Sequence, residues 1–435
     1  MEFESCLAAP PEWHKVSVAS VCRKFTSGGT PSRKKPEYFE GGVIPWIKTK
    51  ELADCVLDDA EEWITEAAIA SSSAKRLPRN TLLMAMYGAT VGQLGVLGRE
   101  MACNQACAAM VVDDTLCDFR FLYYQLLGNR RQIVSMATGA AQQNLSGAQI
   151  KTWVLPIPSR EEQDRICHLL WSIDERIALL RKTNATLEAI GQALFKSWFV
   201  DFDPVHAKAE GREPEKMDAA TAALFPSKFV ESELGLVPMG WQVLSLGDAF
   251  VEKSERVGNR KIPEYSSTNS GLRPRSTQFK KNLSASISNN KVVREGDFVF
   301  GLSRKVLNFG LMFEQIGCVS PVYKVFSVRN DVPVPPRYLE RLIRLKAQYF
   351  YGAVSASSRE GQSVSSNGLR SLKLVCPDLQ ILDRFAEIAD ELSARVATGC
   401  AQIESLEAIR DTLLPRLISG KLRLPEAEAT LEATP

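Results

Sequence analysis

Residues 253–305 gather the side chains best suited to holding a polyanion: 12 Lys and Arg stand against 4 Asp and Glu. Tyr265, Asn269, Phe279, Asn289 and Asn290 are interleaved with them. Lys and Arg neutralise phosphates, while Arg, Asn and Gln carry the paired donors and acceptors that read base edges. On these grounds Asn269, Arg273, Arg275, Lys280, Lys281, Asn290, Lys291, Ser303, Arg304 and Lys305 are candidate contacts to duplex DNA; a solvated, idle loop can share the composition. Two basic segments nearer the start, Arg33-Lys34-Lys35 and Lys48-Thr49-Lys50, offer the same chemistry.

Catalytic chemistry has no comparable signature. Gly420-Lys421 is followed by Leu422, which is not a phosphate-binding loop. The series Gly88, Gly92, Gly95, Gly98 does not fit dinucleotide spacing and reads as turns between strands. There is no Asn/Asp-Pro-Pro-Tyr/Phe methyltransferase motif, no carboxylate pair followed by Glu-x-Lys, and no His beside a Ser or Cys in a nucleophile setting. His14, His168 and His206 are far apart, and the close cysteines Cys103 and Cys107 do not form Cys-x-x-Cys. No metal site is expected, and the 10 cysteines read as buried reduced thiols. A binding role, alone or inside an enzyme complex, fits this inventory.

The charge is unevenly spread. The 435 residues carry a net +2, but residues 236–377 hold 21 Lys and Arg against 10 Asp and Glu, while residues 159–235 hold 10 against 14 and residues 378–435 hold 6 against 11. A strongly basic block between acidic neighbours points to nucleic acid, or to a basic surface without a partner. The start, Met1 to Ser5, is acidic, and the most apolar window, Leu82 to Gly98, is too short and too interrupted for a membrane span. A cytoplasmic protein of two to four domains is expected.

The elements that must position these residues are duplicated. Shifting residues 143–199 by 219 lays Gln143 on Gln362, Leu155 on Leu374, Asp164-Arg165 on Asp383-Arg384 and Leu187-Glu188-Ala189-Ile190 on Leu406-Glu407-Ala408-Ile409. Upstream, Trp13 and Val16-Ser17-Val18 match Trp241 and Leu244-Ser245-Leu246 at a shift of 228. Each copy has a variable, strand-rich half followed by a long helix. Ser159 with Glu162 predicts a capping box for the first helix, and Asp378 caps the second. Apolar residues recur at alternating spacings of 4 and 3: Ile166, Leu170, Ile173, Ile177, Leu180, Leu187 and Leu194, then Phe385, Leu392, Val396, Ile403, Leu406 and Leu413. That seam needs a partner helix, and an antiparallel pair within the chain is the economical answer. Asn184 and Arg410 are polar at seam positions; they set register, or mark where the seam meets another subunit. Pro415 should end or kink the second helix. Helices are also expected over 119–133 and 337–351, and a surface linker over 201–240.

Several motifs resemble one family. Gly28-Gly29-Thr30-Pro31-Ser32 with Ile44-Pro45-Trp46-Ile47, and Tyr87-Gly88 followed by Asn104-Gln105, look like the opening of its recognition domains. Leu155-Pro156-Ile157-Pro158 leading to Glu162-Gln163, the run from Phe195 to Pro204, Gly235 to Trp241, and Leu413 to Leu422 resemble its conserved regions. In this order, and with the duplication, the chain resembles the specificity subunit of type I restriction–modification systems over nearly its whole length. The second half departs from the pattern: Ile381-Leu382 replaces Glu162-Gln163, and the Gly-Gly-Thr-Pro-Ser and Asn-Gln motifs are missing.

The resemblance implies an α+β fold with a pseudo-twofold repeat: two globular α/β recognition domains held apart by an antiparallel pair of long coiled-coil helices. It implies a first recognition domain at 1–158, a central helix at 159–200, a linker at 201–240, a second recognition domain at 241–377, a C-terminal helix at 378–424 and a tail at 425–435. It adds Thr30, Ser32, Tyr87, Thr90, Asn104 and Gln105 to Arg33, Lys34, Lys35, Lys48, Thr49 and Lys50 as DNA-binding candidates. It implies a non-catalytic subunit that binds a bipartite, asymmetric site on double-stranded DNA and docks modification and restriction subunits, with S-adenosylmethionine, ATP and Mg used by the complex and no cofactor or metal bound by this chain. A free-standing DNA-binding regulator or scaffold, or a subunit of a related single-cut restriction system, are the other readings.

Overall fold

A computed structural model describes residues 3–4, 10–137, 144–268, 271–275, 287–303, 306–329, 331–332, 334–351, 354–357 and 361–422. The chain divides into two compact units, Met1–Asn184 with Ala397–Pro435, and Ala185–Val396. Both are mixed helix and sheet, and each contains part of both long helices, Arg160–Phe199 and Leu379–Leu417.

In the first unit, five strands pair in the order Cys22–Ser27, Cys107–Val112, Leu82–Ala85, Leu94–Leu97, Cys55–Leu57. The central strands are buried along their whole length, so they read as continuous apolar runs. A smaller sheet places Ile44–Ile47 between Trp63–Ile64 and Ala102–Cys103. A third sets Trp153–Ile157 between Phe3–Glu4 and His14–Ser17.

The long helices pack into this unit's core. Ile166, Leu170, Ile173, Ile177 and Leu413 are buried with Leu82, Met110 and Phe121, and Leu180 is buried as well. Each such side chain contributes about 1.5–3 kcal/mol on burial. Ile403 and Leu406 are half-buried at the edge. The helices run antiparallel: Asp174 pairs with Arg410, Arg181 with Glu407, and Asn184 with Cys400. Arg410 is thus held inside the chain by Asp174, 2.9 Å away, and buried Asn184 lies against Gly399. Ser159 Oγ accepts from Glu162 N at 3.3 Å.

In the second unit, four strands pair in the order Phe250–Lys253, Lys324–Val328, Phe298–Ser303, Val306–Leu311. Asp378 Oδ1 accepts from Gln380 N at 2.8 Å and starts the second long helix. Its Phe385 meets Phe195, Trp198 and Phe199 of the first at 5.1–5.7 Å between ring centroids. Leu187, Leu194, Leu392 and Val396 are only half-buried, beside a groove of about 420 Å³ lined by Gly191, Arg341 and Arg344.

The repeat is visible as register. Leu155 faces Val16 across an antiparallel pair, and Leu374 faces Leu244 in the same way. These are the residues that the two sequence shifts superimpose.

Four local expectations differ from the structure. The helix expected over 119–133 breaks into Phe119–Gly128 and Arg130–Ser135, because a Cβ on Gly128 would strike Ile418 and the Asn129 side chain bonds back to Gln125 O at 2.8 Å. The one expected over 337–351 divides into Pro336–Leu345 and Ala347–Tyr351. Pro415 stays inside its helix, which runs to Leu417 and stops near Gly420 in the left-handed region. Residues 201–240 are more than a surface linker: Val205, Phe225 and Val237 lie in the second unit's core with Trp198 and Trp241.

Candidate nucleic-acid interface

The candidates of the first unit come from four separated segments, and backbone hydrogen bonds draw these segments to one rim of its sheets. Gly29 N donates to Cys103 O, Trp46 Nε1 to Gly29 O, and Asn104 N to Ile47 O, each at 2.9 Å. Met86 N donates to Ala106 O at 2.8 Å, which brings the turn holding Tyr87 and Thr90 beside Asn104 and Gln105. The glycines are dictated by this packing: a Cβ on Gly28 would strike the Cys103 carbonyl, and one on Gly29 the backbone of Ser73. Gly88 and Gly92 have φ of 74° and 81°, the left-handed region that glycine enters without strain.

On this rim Thr30 Oγ1 is hydrogen-bonded to Gln105 Oε1. Thr30, Ser32, Lys34, Lys50 and Gln105 are exposed, while Tyr87, Thr90, Asn104, Lys48 and Thr49 are half-buried. The Arg33 guanidinium lies over the Phe39 ring at 4.5 Å. Lys35 Nζ donates to Tyr38 OH at 3.0 Å, which raises its pKa. Lys48 Nζ lies 2.6 Å from Glu62 Oε1 and 3.2 Å from Glu61 Oε2. Those bonds raise the Lys48 pKa, with Glu62 the larger cause; they lower that of Glu62, and Lys50 chiefly lowers that of Glu61. With these shifts Lys48, Glu61 and Glu62 are all charged at neutral pH.

In the second unit Arg273 is exposed on the strand Gly271–Pro274. Ser303 ends the strand Phe298–Ser303, opposite Val306 at a hairpin turn. Asn269, Lys280, Lys281, Arg304 and Lys305 lie outside the described residues.

Three assignments are corrected here. Asn290 is buried and donates from Nδ2 to Glu264 Oε1 at 3.2 Å. Lys291 is buried, donates from Nζ to Tyr323 O at 2.6 Å, and has its pKa lowered by desolvation. Arg275 donates from Nη1 to Ser266 Oγ at 2.8 Å, and its Nε lies 3.3 Å from Glu264 Oε2, with its side chain only 11% exposed. Composition marked these three as DNA contacts; in the fold each side chain is engaged by an acceptor within the second unit.

Among the described residues no group of three metal-ligating side chains is found, and no helix is long and apolar enough to cross a membrane. Cys103, Cys107, Cys117, Cys167, Cys318 and Cys376 are buried free thiols, whereas Cys400 is exposed.

Residues 10–189 match the type I restriction modification DNA specificity domain. The chain is 25% identical over 435 residues to the type I restriction enzyme MjaIX specificity subunit of Methanocaldococcus jannaschii, covering 96% of this chain and 95% of that protein. It is 24% identical over 357 residues to the HindI specificity subunit of Haemophilus influenzae, covering 69% and 77%. The chain is thus similar to type I restriction–modification specificity subunits along nearly its whole length. A crystal structure of a type I restriction–modification system S subunit from M. genitalium shares the fold, with a TM-score of 0.51 at 15% identity over 93% of this chain and 96% of that one.

Against the family's pattern, the acidic side of the rim is what sequence reading missed. Glu51, Glu61 and Glu62 engage Lys48 and its neighbours, and Asp58-Asp59-Ala60-Glu61-Glu62 beside two basic runs was the available signal. The buried amides that fasten the first unit's sheets and helices, Gln125, Asn129 and Gln163, were also missed. They show no periodicity of their own.

Proposed function

We propose that this chain is the non-catalytic specificity subunit of a type I restriction–modification complex. It reads a bipartite, asymmetric site on double-stranded DNA, one part with each unit. The two helices, of 40 and 39 residues or about 60 Å, set the unread gap. It docks modification subunits, which use S-adenosylmethionine, and restriction subunits, which use ATP and Mg, and it works in the cytoplasm.

The observation that carries this reading is the shared register of Leu155 on Val16 and Leu374 on Leu244. One frame, used twice, presents two unlike β-rich surfaces, as a two-part asymmetric site requires. The exposed polar rim at Thr30, Ser32, Lys34 and Gln105 supports duplex contact by the first unit.

Expressing the chain with its modification subunits in a host that lacks the system tests this directly. Long-read mapping should find one new bipartite methylated-adenine motif, and omission of this chain should abolish it. An unchanged methylation map with all subunits present would refute the assignment. A free-standing regulator would purify without methyltransferase subunits.

A further inference from the structure

Arg33, Lys48 and Lys50 each already have an anion. Arg33 Nη2 lies 2.6 Å from Glu62 Oε2, Lys48 bridges Glu62 and Glu61, and Lys50 is ion-paired with Glu61. The arrangement is braced from behind. Glu51 accepts from Lys48 N through Oε1 and from Glu61 N through Oε2, both at 2.9 Å. Trp46 N donates to Glu62 O at 2.9 Å, and the Arg33 guanidinium stacks on Phe39. Three cations therefore meet two carboxylates, Glu61 and Glu62, on the rim that also carries Thr30 and Gln105.

We propose that Glu61 and Glu62 mask these cations from DNA phosphates, so that ion pairing alone does not hold a duplex of arbitrary sequence on this rim. The proposal rests on the reading of the first unit as a DNA reader. A phosphate reaching Lys48 must displace a carboxylate, so one ion pair is exchanged for another and little free energy is gained. Duplex of arbitrary sequence offers only that exchange. A matching duplex adds base-edge contacts that offset this cost, so masking lowers both affinities alike and leaves only the matching duplex firmly held. Non-specific affinity depends on counterion release, with log K falling by about 0.9 per log unit of salt for each phosphate neutralised. Unmasked cations should therefore be visible in the salt dependence.

The test uses the full chain assembled with its modification subunits. Binding to a random-sequence duplex and to a duplex carrying the complex's methylated motif is measured across a salt series. The double variant Glu61→Gln with Glu62→Gln should bind the random duplex about tenfold more tightly, with a salt slope steeper by about 2. Its affinity for the motif duplex should rise by a similar factor. The single variant Glu61→Gln, at a half-exposed side chain, should move the same way by a smaller amount and controls for misfolding. An unchanged slope in both variants, or weaker random-duplex binding, would overturn the proposal. If the unaltered complex shows no preference for the motif duplex, the DNA-reader assignment itself fails and takes the proposal with it.

Discussion

Gln125 and Ile418 are joined directly across 293 residues of sequence: Gln125 Nε2 donates to Ile418 O at 2.8 Å and to Pro156 O at 3.1 Å. The side chain is fully buried, so neither carbonyl has water as a substitute. One amide thus ties the helix Phe119–Gly128 both to the frame strand and to the end of the second long helix. In the second unit Tyr338, on the helix Pro336–Leu345, fills the matching place: its OH donates to Val375 O at 2.7 Å, and its ring packs on Phe199. Pro156 and Val375 are equivalent under the 219-residue shift, as are Phe199 and Ile418.

Replacing Gln125 by Leu keeps the volume and removes both donors. Leaving buried carbonyls unpaired costs about 1–3 kcal/mol each. Urea unfolding of the full chain should show a loss of about 2 kcal/mol or more in the transition that reports the first unit. Leu at an exposed position of the following helix, such as Arg131, should cost far less.

Asp174 is the second fastening. Its Oδ2 accepts from Tyr124 OH at 2.7 Å and its Oδ1 from Arg410 Nη1 at 2.9 Å. Both charged side chains are about four-fifths buried, at 23% and 21% exposure. Asp174→Ala leaves the Tyr124 hydroxyl without this acceptor and Arg410 with Asp411 alone, and should cost about 1–3 kcal/mol. Because the pair is shielded from solvent, the loss should be nearly the same at 0.1 M and 0.5 M salt. Exposed pairs such as Arg23 with Asp114 should contribute little at either concentration. Denaturation of the single variants at the two salt levels checks this.

The frame was readable in sequence because duplication and heptad spacing are periodic signals that survive one-dimensional inspection. Trp13 on Trp241 and Leu155 on Leu374 were enough to locate two copies, and the strand registers agree with them. Charge gave the partner class but placed individual residues poorly. Lys291 and Arg275 contribute to the basic count, yet both are spent on internal acceptors, since composition cannot distinguish the two faces of a strand. Helix ends were misjudged wherever tertiary contact decided them, as at Gly128, where Ile418 arrives from the far end of the chain. Arg410, polar at a seam position, pairs across the helices with Asp174, a partner that no local pattern links to it.

Asn184 and Gly399 fix the first unit's helix register by fit. A Cβ at position 399 would clash with Asn184 Oδ1 and lie 2.9 Å from its Nδ2. Asn184 is 9% exposed, so its amide has little room to leave. Gly399→Ala gains helix propensity of about 1 kcal/mol but overpacks the seam by about 1–3 kcal/mol. The expected result is a net loss in stability, although an exposed helical Gly→Ala change usually stabilises. Combining Gly399→Ala with Asn184→Ala should remove the clash and recover stability beyond the single variant. A double-mutant cycle with a coupling near zero would show that the two residues do not set the register.

The proposed role of the helices as a spacer makes the most demanding prediction. In the second unit Leu392 Cδ1 would be 3.7 Å from a Cβ at Gly191, so these two stretches face one another. Deleting residues 188–194 together with residues 389–395 removes one heptad from each helix. It shortens the pair by about 10 Å, while the seam phase changes by only about 20°. A deletion far from whole turns, such as about five residues, would rotate apolar positions out of the seam and confound spacing with misfolding. The expected outcome in methylation mapping is a motif with both half-sites unchanged and the gap reduced by about three base pairs or fewer, from a rise of about 3.4 Å per pair. A folded, methylating variant that kept the original gap would mean that the separation of half-sites is set elsewhere than in these helices.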